Sequence, residues 1–235
     1  MMDTTRNSSK GKSPMPIFEA LNALAIKQRG NRPMILLDVD DTLIDCRHRK
    51  HMVFQNFLKL DWVRDRWPEE AKILATLERK SVHYRVHDNL RLLNIADKSF
   101  ADTLFQFWLK NYFSYPYLVQ DIAFPGAVDF VHTCRAMGIA IVYLTARDMP
   151  SMGQATYDAL AKIGFPVTGD DIHYVLKPSM VISDHAFKLA ALDDIARIGE
   201  VIAALENELP NLNAMAHRFP DALVYWRNTL YAPDP

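Results

Sequence analysis

An apolar segment, Ile35-Leu36-Leu37, stops abruptly at Asp38-Val39-Asp40-Asp41-Thr42. Its character suits a buried β-strand. Strand side chains alternate with period two, so Asp38 and Asp40 leave an extended backbone on the same side. Two carboxylates held together repel, and stay ionised cheaply only beside a cation or a proton. Asp also favours surface turns. In α/β proteins, however, ligands gather at the carboxyl ends of strands. The pair is therefore a candidate metal-and-nucleophile site.

The rest of the chain alternates in the same spirit. Strand-like runs recur at Ile139–Leu144, Ile172–Leu176, Val201–Leu205 and Ala222–Trp226. Helical segments separate them: Ala127–Met137 after a Pro-Gly turn, Ser151–Ile163 ending at Gly164, Ser183–Ile198 opening on a capping serine, and Leu209–Phe219. Such alternation predicts an α/β fold, with a parallel sheet covered by helices on both faces. The exception is residues 47–120, which hold no strand run but many aromatics. There Leu90, Leu93, Phe100, Leu104, Phe107 and Trp108 mostly follow three- and four-residue steps. This stretch reads as a small all-helical domain inserted after the first strand. The expected layout is a polar, flexible tail over 1–16, a core over 17–46 and 121–235, and the helical insert between.

Composition excludes more than it selects. At 235 residues and 49% apolar, the chain has material for a substantial core. A formal net charge of −1 offers no general attraction for nucleic acid or anionic membrane. No apolar stretch approaches the ~20 residues of a membrane span, and the polar start does not read as a secretory signal. Cys46 and Cys134 do not make a disulfide framework, which fits a reducing, cytoplasmic setting.

Asp38-Val39-Asp40-Asp41-Thr42, followed by a strand ending in Leu144-Thr145-Ala146-Arg147, resembles the first two motifs of the haloacid dehalogenase (HAD) superfamily. Pro125-Gly126 resembles the lead-in to the second motif, and Lys188 matches the lysine of the third. The resemblance covers about 120 residues outside the insert. It implies a Rossmann-like three-layer core, the insert acting as a helical cap, and a Mg²⁺-dependent phosphatase of small phosphorylated metabolites. Asp38 would be the nucleophile, forming an aspartyl-phosphate, with Asp40 as acid and base. Thr145 and Lys188 would hold the phosphoryl oxygens, with Thr42 and Arg147 as further substrate contacts. Magnesium would be held by Asp38, Asp40 (through its main-chain carbonyl) and an acid of the fourth motif. A phosphomutase sharing the intermediate is the nearest alternative, whereas Asp40 argues against halide removal.

That fourth motif departs from the pattern. Where paired aspartates are usual, this chain has Glu206-Asn207-Glu208 and then Asn211. Glu206 ends the apolar run and supplies a hard carboxylate oxygen, so it is the preferred ligand. Asn207 and Asn211 remain rivals, and a weakened metal site leaves a catalytically quiet binding protein as another reading. Arg147 suits either phosphate or a structural carboxylate. Lys177 rivals Lys188 but precedes Pro178, which biases it towards extended geometry. The run Cys46–His51 suits anion recruitment or a solvated face. His83 and His87 have helical spacing, but no thiolate or third histidine nearby suggests zinc.

Overall fold

The computed structural model describes residues 17–27 and 31–233, so the tail expected over 1–16 lies outside the described residues. Five parallel strands form one sheet in the order β3-β2-β1-β4-β5, with β1 (Pro33–Asp38) at its centre. Flanking it are β2 (Ala140–Asp148) and β4 (Glu200–Glu206), with β3 (Ile172–Lys177) and β5 (Leu223–Trp226) at the edges. Each strand falls where an apolar run predicts one. Only β2 departs appreciably, continuing past Thr145 to Asp148.

Period-two alternation sorts the sheet's side chains into two layers. Ile35 and Leu37 join Ile141, Tyr143 and Leu205 against α1 (Ile17–Lys27), α8 (Ala127–Ala136) and α9 (Met149–Ile163). Met34 and Leu36 join Val142, Leu144 and Ala204 against α10 (Asp184–Ile198) and α11 (Leu209–Arg218). This is the three-layer Rossmann-like architecture that alternating strands and helices predict. The β1–β4 register slips between Met34 and Ile35, which pair with Val201 and Ala203. The slip sets Leu37 opposite Leu205, so that Asp38 and Glu206 both come next.

Local caps set the helix ends. Gly164 closes α9 at φ 104°, a left-handed conformation that favours glycine. Ser183 accepts a hydrogen bond from the Ala186 N–H at 3.2 Å and opens α10.

Between β1 and α8 lie only helices: α2 (Cys46–Leu58), α3 (Asp61–Arg66), α4 (Pro68–Leu74), a single 3-10 turn, α5 (Val86–Leu92), α6 (Lys98–Asn111) and α7 (Tyr115–Leu118). Five of these helices, α2 to α6, share a cluster of their own around Phe54, Phe57, Trp67, Phe100 and Leu104. The Phe57 ring stands edge-on to Phe100 at 5.7 Å. Phe57→Ala leaves a cavity among fully buried rings and is expected to cost about 3–5 kcal/mol, read as a fall in the urea midpoint at unchanged slope. Among the described residues no helix is long and apolar enough to cross a membrane.

Candidate functional site

Parallel pairing carries the ends of β1, β2 and β4 to one rim. Asp38 pairs with Leu144, and Thr145 follows it. Asp38, Glu206 and Thr145 are each buried. Lys188, in the second turn of α10, reaches in from the opposite layer. Its Nζ donates to Asp38 Oδ1 at 2.6 Å and to Glu206 Oε2 at 2.7 Å. Glu206 Oε1 accepts the main-chain N–H of Asn207 at 3.1 Å and of Glu208 at 3.0 Å. Asp38 Oδ2 is different. It is buried and has no hydrogen-bond partner.

One lysine thus serves two buried carboxylates. Burial pushes Asp38 up, Glu206 adds to the rise, and Lys188 only partly offsets them, leaving the carboxyl at about 7. Burial also works against the Lys188 charge, but Asp38 and Glu206 hold its ammonium above the ordinary lysine range.

The chain turns sharply after β1, with Asp41 in the left-handed region at φ 58°, where Asp is among the few residues that settle. Asp40 thereby faces two arginines. Its Oδ1 accepts from Arg49 Nη2 at 2.7 Å and Arg147 Nη2 at 2.8 Å, and its Oδ2 from Arg147 Nε at 2.7 Å. Both guanidiniums also bind Asp121: Arg49 Nε donates at 2.7 Å and Arg147 Nη2 at 2.7 Å. Burial opposes ionisation of Asp40, but Arg147 and then Arg49 outweigh it and hold the carboxyl well below the usual range.

These residues line a cavity of about 240 Å³. Asp38, Asp40, Thr145, Arg147 and Lys188 are all on its wall, joined by Asn207 and Asn211. Two site candidates are not. Thr42 is buried away from the wall and donates to Asn207 Oδ1 at 3.3 Å, so the expected substrate contact is replaced by a positioning one. Glu206 is likewise enclosed, its oxygens taken by Lys188 and two backbone N–H groups. The two carboxylates expected for magnesium, Asp38 and Glu206, therefore do not stand open together beside the Asp40 main-chain carbonyl. Among the described residues no group of three or more His, Cys, Asp or Glu is disposed to hold a metal. Oxygen-bearing side chains on the wall include Asp38 and Asn207, with Asp41, Asp184, Glu208 and Asn211 beside them. The Asn207 Nδ2 donates to the Leu230 carbonyl, which fixes its Oδ1 towards Thr42. One carboxylate and one amide oxygen suit a small hard cation that keeps several waters, as magnesium does.

Of the two uses open to Arg147, carboxylate pairing is the one seen. Lys177 also reaches the wall but pairs with Asp184 at 2.5 Å. Arg49, Lys50 and Asp121 have no place in the sequence reading. The run Cys46–His51 is neither a solvated face nor an open anion trap, because Arg49 and Lys50 are 1% and 3% exposed. A signal for the first two was present. Cys46, Arg49, Lys50, Val53, Phe54 and Phe57 repeat at helical spacing and all turn inward on α2. Asp121 lies 72 residues from Arg49 and carries no local signature.

The sequence matches no family model and no curated protein. Solved structures do match in shape. The class C acid phosphatase from Bacillus anthracis superposes at TM-score 0.52 with 14% identity, over 91% of this chain and 74% of that one. The Mycobacterium tuberculosis Protein Tyrosine Kinase A gives 0.51 with 16% identity, over 88% and 91%. A haloacid dehalogenase-like family hydrolase from Streptococcus pneumoniae gives 0.47 with 12% identity, over 79% and 80%. With its five-stranded parallel sheet flanked by helices, the chain shares the fold of the class C acid phosphatase from Bacillus anthracis.

Proposed function

We propose that this chain is a magnesium-assisted phosphate-monoester hydrolase in which Asp38 is the nucleophile, with the helices between β1 and α8 acting as its cap. One observation carries the reading. On a cavity wall otherwise tied up in ion pairs, one Asp38 oxygen is anchored by Lys188 while the other is buried and unpartnered. An attacking carboxylate needs that asymmetry: a fixed orientation and a free lone pair.

Asp38 Oδ2 would attack phosphorus in line, and the bond to the leaving oxygen would break, giving an aspartyl-phosphate. Lys188 and the Thr145 hydroxyl would hold the equatorial phosphoryl oxygens, where negative charge spreads. Water would then attack the phosphorus, the bond from phosphorus to Asp38 Oδ2 breaking to restore the carboxylate and release phosphate, with the ionised Asp40 accepting the water's proton. The surroundings favour this base half of the Asp40 role over the acid half. Proton donation near neutrality asks for a raised carboxyl, and two guanidiniums do the opposite. Arg147 and Arg49 act as the clamp on Asp40 rather than as substrate contacts. Bound magnesium, held by Asp38 and Asn207, would neutralise phosphate charge as the carboxylate approaches. The two free, buried cysteines support a cytoplasmic setting for this chemistry.

The test is release of inorganic phosphate from phenyl phosphate, with and without magnesium. Phosphate released only with metal supports the reading, whereas an isomerised sugar phosphate without phosphate release would favour the mutase alternative. Metal affinity gives a separate check. Asn207→Asp adds a second negative ligand and is expected to tighten magnesium binding roughly tenfold by calorimetry. Unchanged affinity would remove Asn207 from the metal shell.

A further inference from the structure

The half of the cavity wall that lies outside the phosphate machinery is aromatic and apolar. Trp108 and Tyr112 stack at 4.8 Å, and Phe113 meets Tyr112 edge-on at 4.9 Å. Tyr84, Met152 and Met180 continue the surface. The Trp108 Nε1–H is buried and has no hydrogen-bond partner, although its ring is on the wall. Such donors are rare, because leaving one unmet is costly.

Charge on the wall is already matched, five acids against five bases. Arg49 and Arg147 grip Asp40 and Asp121, Lys188 grips Asp38, and Lys177 grips Asp184. Lys50 donates to the carbonyl oxygens of His83 and Tyr84, and the nearby Asp41 supplies its counter-charge. A second anionic group on a substrate would meet no uncommitted cation.

Resting on the hydrolase reading, we infer that the substrate carries a single phosphate on a neutral, flat, aromatic group. That group lies against Trp108 and offers its Nε1–H an acceptor. Phosphorylated acids, bisphosphates and nucleoside di- or triphosphates are excluded by the committed cations. The volume is below the ~300–1,000 Å³ of drug-sized pockets, which keeps the group small.

Non-hydrolysable phosphonates test this apart from turnover. Calorimetry with magnesium present is expected to show phenylphosphonate binding about tenfold tighter than methylphosphonate, with phosphonoacetate weakest. Trp108→Leu narrows the first ratio at least threefold. Tyr84→Ala, at a more exposed part of the wall, narrows it too and guards against misfolding of the first variant. Phosphonoacetate binding as tightly as phenylphosphonate, or a ratio indifferent to both substitutions, overturns the inference. Selective phenylphosphonate binding without phosphate release from phenyl phosphate would instead overturn the hydrolase reading and leave the substrate class standing.

Discussion

Lys188→Met is expected to destabilise the fold by about 3–5 kcal/mol at pH 8, because it strands two buried carboxylates without a cation. Asp38 and Glu206 share that one ammonium, at 2.6 and 2.7 Å. The sign of the pH dependence follows from the direction of the shift. Asp38 already sits at about 7 with the lysine present, and losing the lysine's offsetting charge raises it further. A carboxyl whose folded value lies above its unfolded value loses stability as pH rises between the two. The deficit of the variant relative to the native chain is therefore largest at pH 8 and shrinks towards pH 5, where Asp38 takes up a proton. Urea titrations at both pH values measure it. The double variant Lys188→Met, Glu206→Gln recovers part of the loss by removing one stranded charge. A deficit that is small, or equal at both pH values, would mean that the lysine does not hold this pair.

Asp38→Asn separates chemistry from stability. It removes the nucleophilic oxygen, so phosphate release from phenyl phosphate is expected to fall on the order of 10³-fold or more. The fold should not suffer, since a neutral amide relieves the repulsion between Asp38 and Glu206. The expected pattern is lost turnover with an unchanged or raised melting temperature. Turnover that survives in a folded variant would take Asp38 out of the mechanism.

Much of this was readable in the chain because the informative residues are local. Strand runs of period two and caps such as Ser183 and Gly164 act over a few residues, and the structure puts the elements where they imply. Asp38, Asp40 and Thr145 lie at or near strand ends and Lys188 lies near the start of a helix, so parallel pairing of the strands brings them to one cavity. What escaped was decided at long range. Glu206 was taken for a metal ligand because it ends an apolar run. Yet Lys188 claims one of its oxygens only once α10 packs against β2 and β3, and the N–H groups of Asn207 and Glu208 take the other as the chain turns after β4. The two-arginine clamp on Asp40 depends on Asp121, a residue with no neighbours in sequence to announce it.

That clamp has a consequence for motion. Arg49 belongs to the first helix of the insert and Arg147 to the central sheet, yet both hold the same two carboxylates. Swinging α2 outward would tear a guanidinium from Asp40 and Asp121 together, stranding the Asp121 carboxylate away from solvent. The root of the insert is consequently riveted. On the proposed hydrolase reading, access to the cavity is expected to come from bending farther out, towards Tyr84 and α6.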